Sequence, residues 1–406
     1  MTMSDQRERP ITRRTALAAI ALGVAGAPAF VRGRYRLFAQ SSTDYSARCI
    51  QLMERSLVVD LLNQFRFEDF AEKPPRITSW LSRAGSVSRE DMETYRGSGI
   101  TALGLGHGAN DYESALRWFA EWNGLIAAYP DWLARIDEPG DFAATKQARK
   151  LGVMLTFQNS QHFRTPKDVE TFFSLGQRIS QLTYNFNNRI GSGFLEQRDG
   201  GLSVFGLSIV EKMNEVGMAI DLSHCADVTT LDGIAASKQP VIFTHANCRA
   251  LAPGLTRLKT DEAIRGMAKS GGVMGLSFLR ILVRESEPVT AAHMLDHVDH
   301  VVKLVGVQHV AVGSDMDIVG NPNPIGGGMN PSAQPNFARY KFHTDSAGKI
   351  TIAGLDHPKR MFDFTEGLIG RGYSDADIAL ILGGNAVRVL GGIWSKPVPA
   401  QAPEKK

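Results

Sequence analysis

The chain has 406 residues, 43% of them hydrophobic and 21% charged, with a formal net charge of +3. That composition supplies a full-sized apolar core and excludes a disordered or low-complexity chain. Four arginines and two acids fall in the first 29 residues, so the remainder carries only +1, which argues against nucleic acid or an anionic membrane as the main partner.

The segment 1–29 reads as a leader. Arg13 and Arg14 precede an apolar run from Ala16 that ends in Ala27-Pro28-Ala29. A charged stretch, a short apolar stretch and small residues at the cut are the parts of a secretory signal, and paired arginines point to the twin-arginine route. The run is too short and too rich in Ala and Gly to span a bilayer. The expected location is therefore periplasmic or secreted. Three cysteines, Cys49, Cys225 and Cys248, are an odd number, so no disulfide framework holds the fold. Cys225 and Cys248 are expected to be buried and inert rather than paired or ligating.

A linker and N-terminal helix are assigned to 30–55, and a barrel to 56–394. Eight short apolar runs follow in order: 57–62 (LVVDLL), 101–106 (TALGLG), 152–157 (GVMLTF), 179–184 (ISQLTY), 218–222 (MAIDL), 241–244 (VIFT), 272–276 (GVMGL) and 310–313 (VAVG). Amphipathic helical patterns lie between them, at 112–128, 166–177 after a Thr165 cap, 208–216, 260–270 and 290–304. Helices at 362–371 and, capped by Ser374, at 374–382 close the chain. Buried strands alternating with helices predict an α/β fold, a single-domain (β/α)8 TIM-like barrel, in preference to an open doubly wound sheet. Two long polar stretches, 63–99 and 318–335, follow strands and so would lie on the face where barrels do chemistry. The tail 395–406 (SKPVPAQAPEKK) is expected to be disordered.

Candidate chemistry sits just past strand ends. His224 ends the fifth run and His245 the sixth, at matched depth, a placement that suits one shared zinc. Asp315 follows the eighth and could orient or deprotonate water. His293, His297 and His300 share one helix face and read as structural; His107 could reach the pocket but has no supporting neighbour.

Several stretches together resemble the membrane (renal) dipeptidase family: FGLSIVEKMNEVGMAIDLSH, PVIFTHANCRAL, the run from Arg257 to Glu262, HVDHVVKLVGVQHVAVGSDMD, and RGYSDADIALILGGNAVRVL. The resemblance implies a zinc peptidase on a distorted (β/α)8 barrel. It implies His224 and His245 as ligands of one zinc, Arg257 as the holder of the substrate carboxylate, and Asp315 as the proton-transfer group. The family's first strand ends in Asp-Gly-His-Asn-Asp, where this chain has Asp60-Leu61-Leu62-Asn63-Gln64, so Leu62 and Gln64 replace a His and an Asp ligand. Gln158 stands in the place of a bridging Glu, and Phe186 in that of the His taken to polarise the scissile carbonyl.

With that half of the site substituted, two-zinc hydrolysis is not expected, and zero or one zinc ion is. The function implied is an exported metallohydrolase of this family acting on a dipeptide or small amide. The alternative is a non-hydrolytic barrel that binds or helps mature a peptide-like ligand. Expected partners are a small peptide or amide, with no nucleic acid and no stable membrane insertion after leader removal; a homodimer is left open.

Overall fold

Eight parallel strands form the centre: β1 Val59–Asn63, β2 Ala102–Leu105, β3 Leu151–Phe157, β4 Gln177–Gln181, β5 Ala219–Asp221, β6 Val241–Ala246, β7 Val273–Leu276 and β8 Val310–Val312. Each pairs with the next in space, β8 pairs back to β1 through Val312 and Asp60, and β2 pairs with β3, so the barrel closes. The structure is a computed structural model, which describes residues 33–35, 37, 44–65, 76–83, 85–318, 320 and 350–394. The leader 1–29, the tail 395–406 and most of the 318–335 stretch lie outside the described residues.

Every strand anticipated from the sequence is present, within one to three residues at each end. The fourth starts two residues early, at Gln177, because Gly176 turns the chain with a φ of 108° right after the helix Pro166–Ser174. The barrel departs from regularity at β3. Its first half pairs with an accessory strand, Leu133–Arg135, and its second half with β4.

The interior is built from Val59, Leu61, Ala102, Met154, Ile179 and Ile242, one side of each strand's alternation, while the other side packs on the helices. Backbones crowd across the barrel at the upper end. A Cβ on Gly313 would lie 1.7 Å from the Thr244 carbonyl oxygen, so a side chain there has no room.

Helix starts follow their caps. Thr165 and Ser88 form capping boxes with Asp168 and Asp91, and Ser374 accepts from the Asp377 N–H at 3.1 Å. The stretch 63–99 is not the open loop its polarity suggests: it holds helices Arg76–Ser82 and Arg89–Ser98. A further helix, Pro139–Gln147, follows the accessory strand.

The C-terminal helix Asn385–Trp394 closes the bottom of the barrel. Ala386, Val389, Leu390 and Ile393 join the interior cluster, and Asn385 donates to the Val307 and Val310 carbonyls at 2.8 and 2.9 Å. The continuous helical stretch Asp375–Trp394 is long and apolar enough to cross a membrane, but half of its most apolar window is buried in this protein, as befits a plug. With the bottom sealed, a ligand reaches the interior from the opposite, C-terminal mouth.

Candidate active site

Two buried aspartates stitch the strand ends that carry the site. On one side Asp221, at the end of β5, accepts from the backbone N–H groups of Ser223 and Thr244 at 2.9 and 3.0 Å and from both hydroxyls, that of Thr244 at 2.6 Å. This locks β5 to β6 directly below His224 and His245. On the other side Asp60 accepts from the Ser314 N–H and hydroxyl at 2.7 and 2.6 Å and from Asn63 at 3.0 Å, locking β1 to β8 below Gln64 and Asp315. Burial pushes both carboxyls above their ordinary range, and these hydrogen bonds oppose that shift.

His224 and His245 meet. Their Nε2 atoms stand 2.8 Å apart, both side chains are buried, and Tyr184 stacks over the His224 ring with centroids 4.4 Å apart. The far side of each ring fixes its tautomer. His224 Nδ1 donates to Asn185 Oδ1 at 2.8 Å. Thr244 spends its hydroxyl proton on Asp221, so its oxygen accepts from His245 Nδ1 at 2.8 Å. Both Nδ1 protons being committed, both Nε2 lone pairs face each other, and Gln158 Nε2 adds a donor to His245 Nε2 at 3.2 Å. Two opposed lone pairs could share a cation between them. A proton is disfavoured: burial first, then the Arg257 charge, holds both imidazoles well below their usual value.

The donor set therefore fits one divalent cation. Two imidazoles on one tetrahedral zinc at about 2.0–2.1 Å have nitrogens roughly 3.3 Å apart, so the pair would open by about half an ångström. It does not fit two. Leu62 offers no donor, Gln64 and Gln158 are neutral, and among the described residues no three His, Cys, Asp or Glu side chains stand together as a metal-holding group. Asp315 lies with the other half of the site: its Oδ1 accepts from Gln64 Nε2 at 2.5 Å, and its N–H donates to the Leu62 carbonyl at 2.9 Å. It adopts a left-handed φ of 58°, a conformation Asp tolerates better than most residues and one common at functional sites. Phe186 is half-buried and packs against the hydrophobic core.

Arg257 is only 2% exposed. Its Nη1 donates to the Ser223 carbonyl and its Nη2 to that of His245 at 2.9 Å, so the guanidinium ties together the two segments that carry the histidines. It returns to the barrel because Lys259 N–H donates to Asn247 O and Arg249 N–H to Lys259 O, both at 2.9 Å, which pinches off the loop between them.

Sequence reasoning missed Asp221, Asn185, Tyr184 and Lys259. Asp221 had a signal, a carboxylate three residues before His224 on a strand too buried for solvation; the other three become visible only when β4, β5 and β6 are side by side. The other histidines anticipated from the sequence serve the fold. His297 accepts from the Cys248 N–H and donates to the Val283 carbonyl, His300 pairs with Asp261 at 2.8 Å, His293 meets Arg284 at 3.1 Å, and His107 stacks on Trp118. All three cysteines are buried and free.

Lys259 gives a pH test. Its Nζ donates to the Cys225 carbonyl at 2.8 Å and to Thr230 Oγ1 at 3.0 Å, and burial lowers its pKa to about 7. The unfolded chain's lysine keeps its proton to about 10.4. Between these values the unfolded state binds the extra proton, so this residue's contribution to stability is lost as pH falls from about 10 toward 7. The slope is up to about 1.4 kcal/mol per pH unit. Urea midpoints at pH 7 and 9 should rise in the wild type and flatten in Lys259→Met; equal slopes would refute the assignment.

A (β/α)8 barrel with a sealed bottom and a buried histidine pair at its C-terminal mouth places this protein among barrels that do their chemistry at that end. The sequence profile of the membrane dipeptidases (Peptidase family M19) matches residues 90–338, which include His224, His245, Arg257 and Asp315. The chain belongs to the membrane dipeptidase family. It is 31% identical over 228 residues to dipeptidase verJ of Clonostachys rogersoniana, 56% of this chain and 51% of that one. It is also 31% identical over 170 residues to an uncharacterized protein in the pqqA 5' region of Klebsiella pneumoniae, 39% of this chain and 62% of that one. The chain thus spans half to three fifths of the curated relatives it matches.

Among solved structures, an amidohydrolase from Pseudomonas aeruginosa superposes with a TM-score of 0.70 at 26% identity, covering 86% of this chain and 99% of that one. A metallopeptidase from Rhodobacter sphaeroides, liganded with a phosphinate mimic of L-Ala-D-Ala, shares the fold with a TM-score of 0.67 at 18% identity over 84% of this chain and all of that one.

Proposed function

We propose that this protein is an exported hydrolase of a dipeptide or small amide that works with one divalent cation, zinc for preference, held between His224 and His245. The observation that carries the reading is the pair of opposed Nε2 lone pairs at 2.8 Å, whose rings are fixed from behind by Asn185 and Thr244. Such backing of each ring by a second hydrogen bond is how metal-ligating histidines are held.

When bound, the cation supplies Lewis-acid polarisation of an amide carbonyl. The chain's own residues do the rest. Asp315, aimed by Gln64, takes up the proton of the attacking water. Arg257 provides the positive field for a substrate carboxylate, and Tyr184 shields the His224 ring from solvent. Export rests on the leader with Arg13 and Arg14.

A second reading is favoured by Phe186 and Gln158, which replace a polarising His and a bridging Glu. On it the barrel binds a peptide-like ligand without cleaving it. A panel of dipeptides, assayed with and without added Zn²⁺, Mn²⁺ or Co²⁺, separates the two. Hydrolysis predicts cation-dependent turnover that falls at least about 100-fold in Asp315→Asn while cation binding persists. Peptide binding without turnover under every condition would replace this reading with the second.

A further inference from the structure

The half of the mouth opposite the histidines is held by hydrogen bonds among the chain's own residues. Gln64, at the end of β1, donates its amide to Asp315 Oδ1 at 2.5 Å, and the Asp315 N–H returns to β1 at the Leu62 carbonyl. Space for that amide is reserved: a Cβ on Gly106 would lie 3.1–3.2 Å from its three terminal atoms, and glycine leaves the gap open. Gln158, 8% exposed, is likewise spent as a donor to His245. At Asp315 the Gln64 carboxamide brings a donor where a carboxylate would bring a ligand, and Leu62 offers none, so this half lacks the paired imidazole nitrogens that the other half presents.

We propose that the Gln64 amide takes the place of the second metal ion of a two-metal centre. It is a neutral donor that holds the Asp315 carboxylate in its left-handed position, while Gln158, a neutral donor to His245, adds no negative charge to the site. Gln64 is then a positioning residue, and cation number in this barrel is set at Leu62, Gln64 and Gln158. The inference deepens the one-cation reading above and rests on it for the absolute count, but the change in count is its own.

The test counts bound zinc per chain, by mass spectrometry after equilibrium dialysis, in the wild type and in Leu62→His/Gln64→Asp/Gln158→Glu, with circular dichroism to check the fold. The triple variant is expected to hold one zinc more than the wild type, two against one. A wild type with none and a triple variant with one would sink the one-cation reading and leave this inference standing. A folded triple variant with no gain, or a wild type that already holds two, would overturn the inference. Should the triple variant not fold, Gln64→Glu decides. It is isosteric and sets a carboxylate against Asp315, so the metal-free Tm should drop by about 3 °C or more and recover with zinc. A Tm unmoved by the substitution, or one that zinc does not restore, would equally overturn it.

Discussion

His224→Ala should lower affinity for Zn²⁺ on the order of 100-fold or more and abolish cation-dependent turnover, with the far-UV spectrum unchanged. The size follows from the donor count. A cation between two neutral imidazoles has no carboxylate to fall back on, so removing one of its two strong donors removes most of its binding. His245→Ala should do the same, and the double variant should be little worse than either alone, because the pair acts as one chelate. Small ΔTm values are expected for the metal-free variants. Removing either ring takes away one of two facing lone pairs, which offsets part of the packing lost. Titration calorimetry checks this; an affinity in His224→Ala within threefold of wild type would contradict it.

Asp221→Ala should be the most destabilising single change in the site, by about 3–5 kcal/mol. It strips the acceptor from two buried N–H groups and two buried hydroxyls at once, and unsatisfied buried donors cost about 1–3 kcal/mol each before relaxation. The effect should reach the cation as well. With Asp221 gone, the Thr244 hydroxyl is free to turn its proton toward His245 Nδ1, which drives that ring to the tautomer with a protonated Nε2. Zinc affinity should then fall about 10–100-fold, the usual size for loss of a group backing a ligand. Asp221→Asn, which keeps one acceptor oxygen, should lie between. Urea unfolding and zinc titration of the same preparations measure both effects; stability lost with zinc affinity intact would separate the carboxylate from the metal site.

The barrel was legible because its strands are continuous apolar runs buried on both sides and its helices carry caps at Thr165, Thr260, Thr290 and Ser374, signals local to a few residues. The helices within 63–99 and the plug Asn385–Trp394 were less so. The first are short and polar, and the second follows a π-type turn at Leu380–Gly384 that breaks helical periodicity. In the site, the histidine pair could be anticipated from matched positions at the ends of β5 and β6. The rest depends on which strands become neighbours. Asn185 behind His224, Gln64 on Asp315 and Asp60 under Ser314 join residues 39, 251 and 254 positions apart; the first needs β4 beside β5, and the other two need the barrel to close β8 on β1. Arg257, which by resemblance would hold a substrate carboxylate, clamps the Ser223 and His245 carbonyls, something no motif could convey.

Where a metal binds tests the histidine-pair site most directly. Crystals of the protein soaked in zinc and measured on both sides of the zinc absorption edge should show one anomalous peak per chain, about 2 Å from the Nε2 atoms of His224 and His245. Two peaks, or a single peak beside Gln64 and Asp315 with none between the histidines, would contradict it.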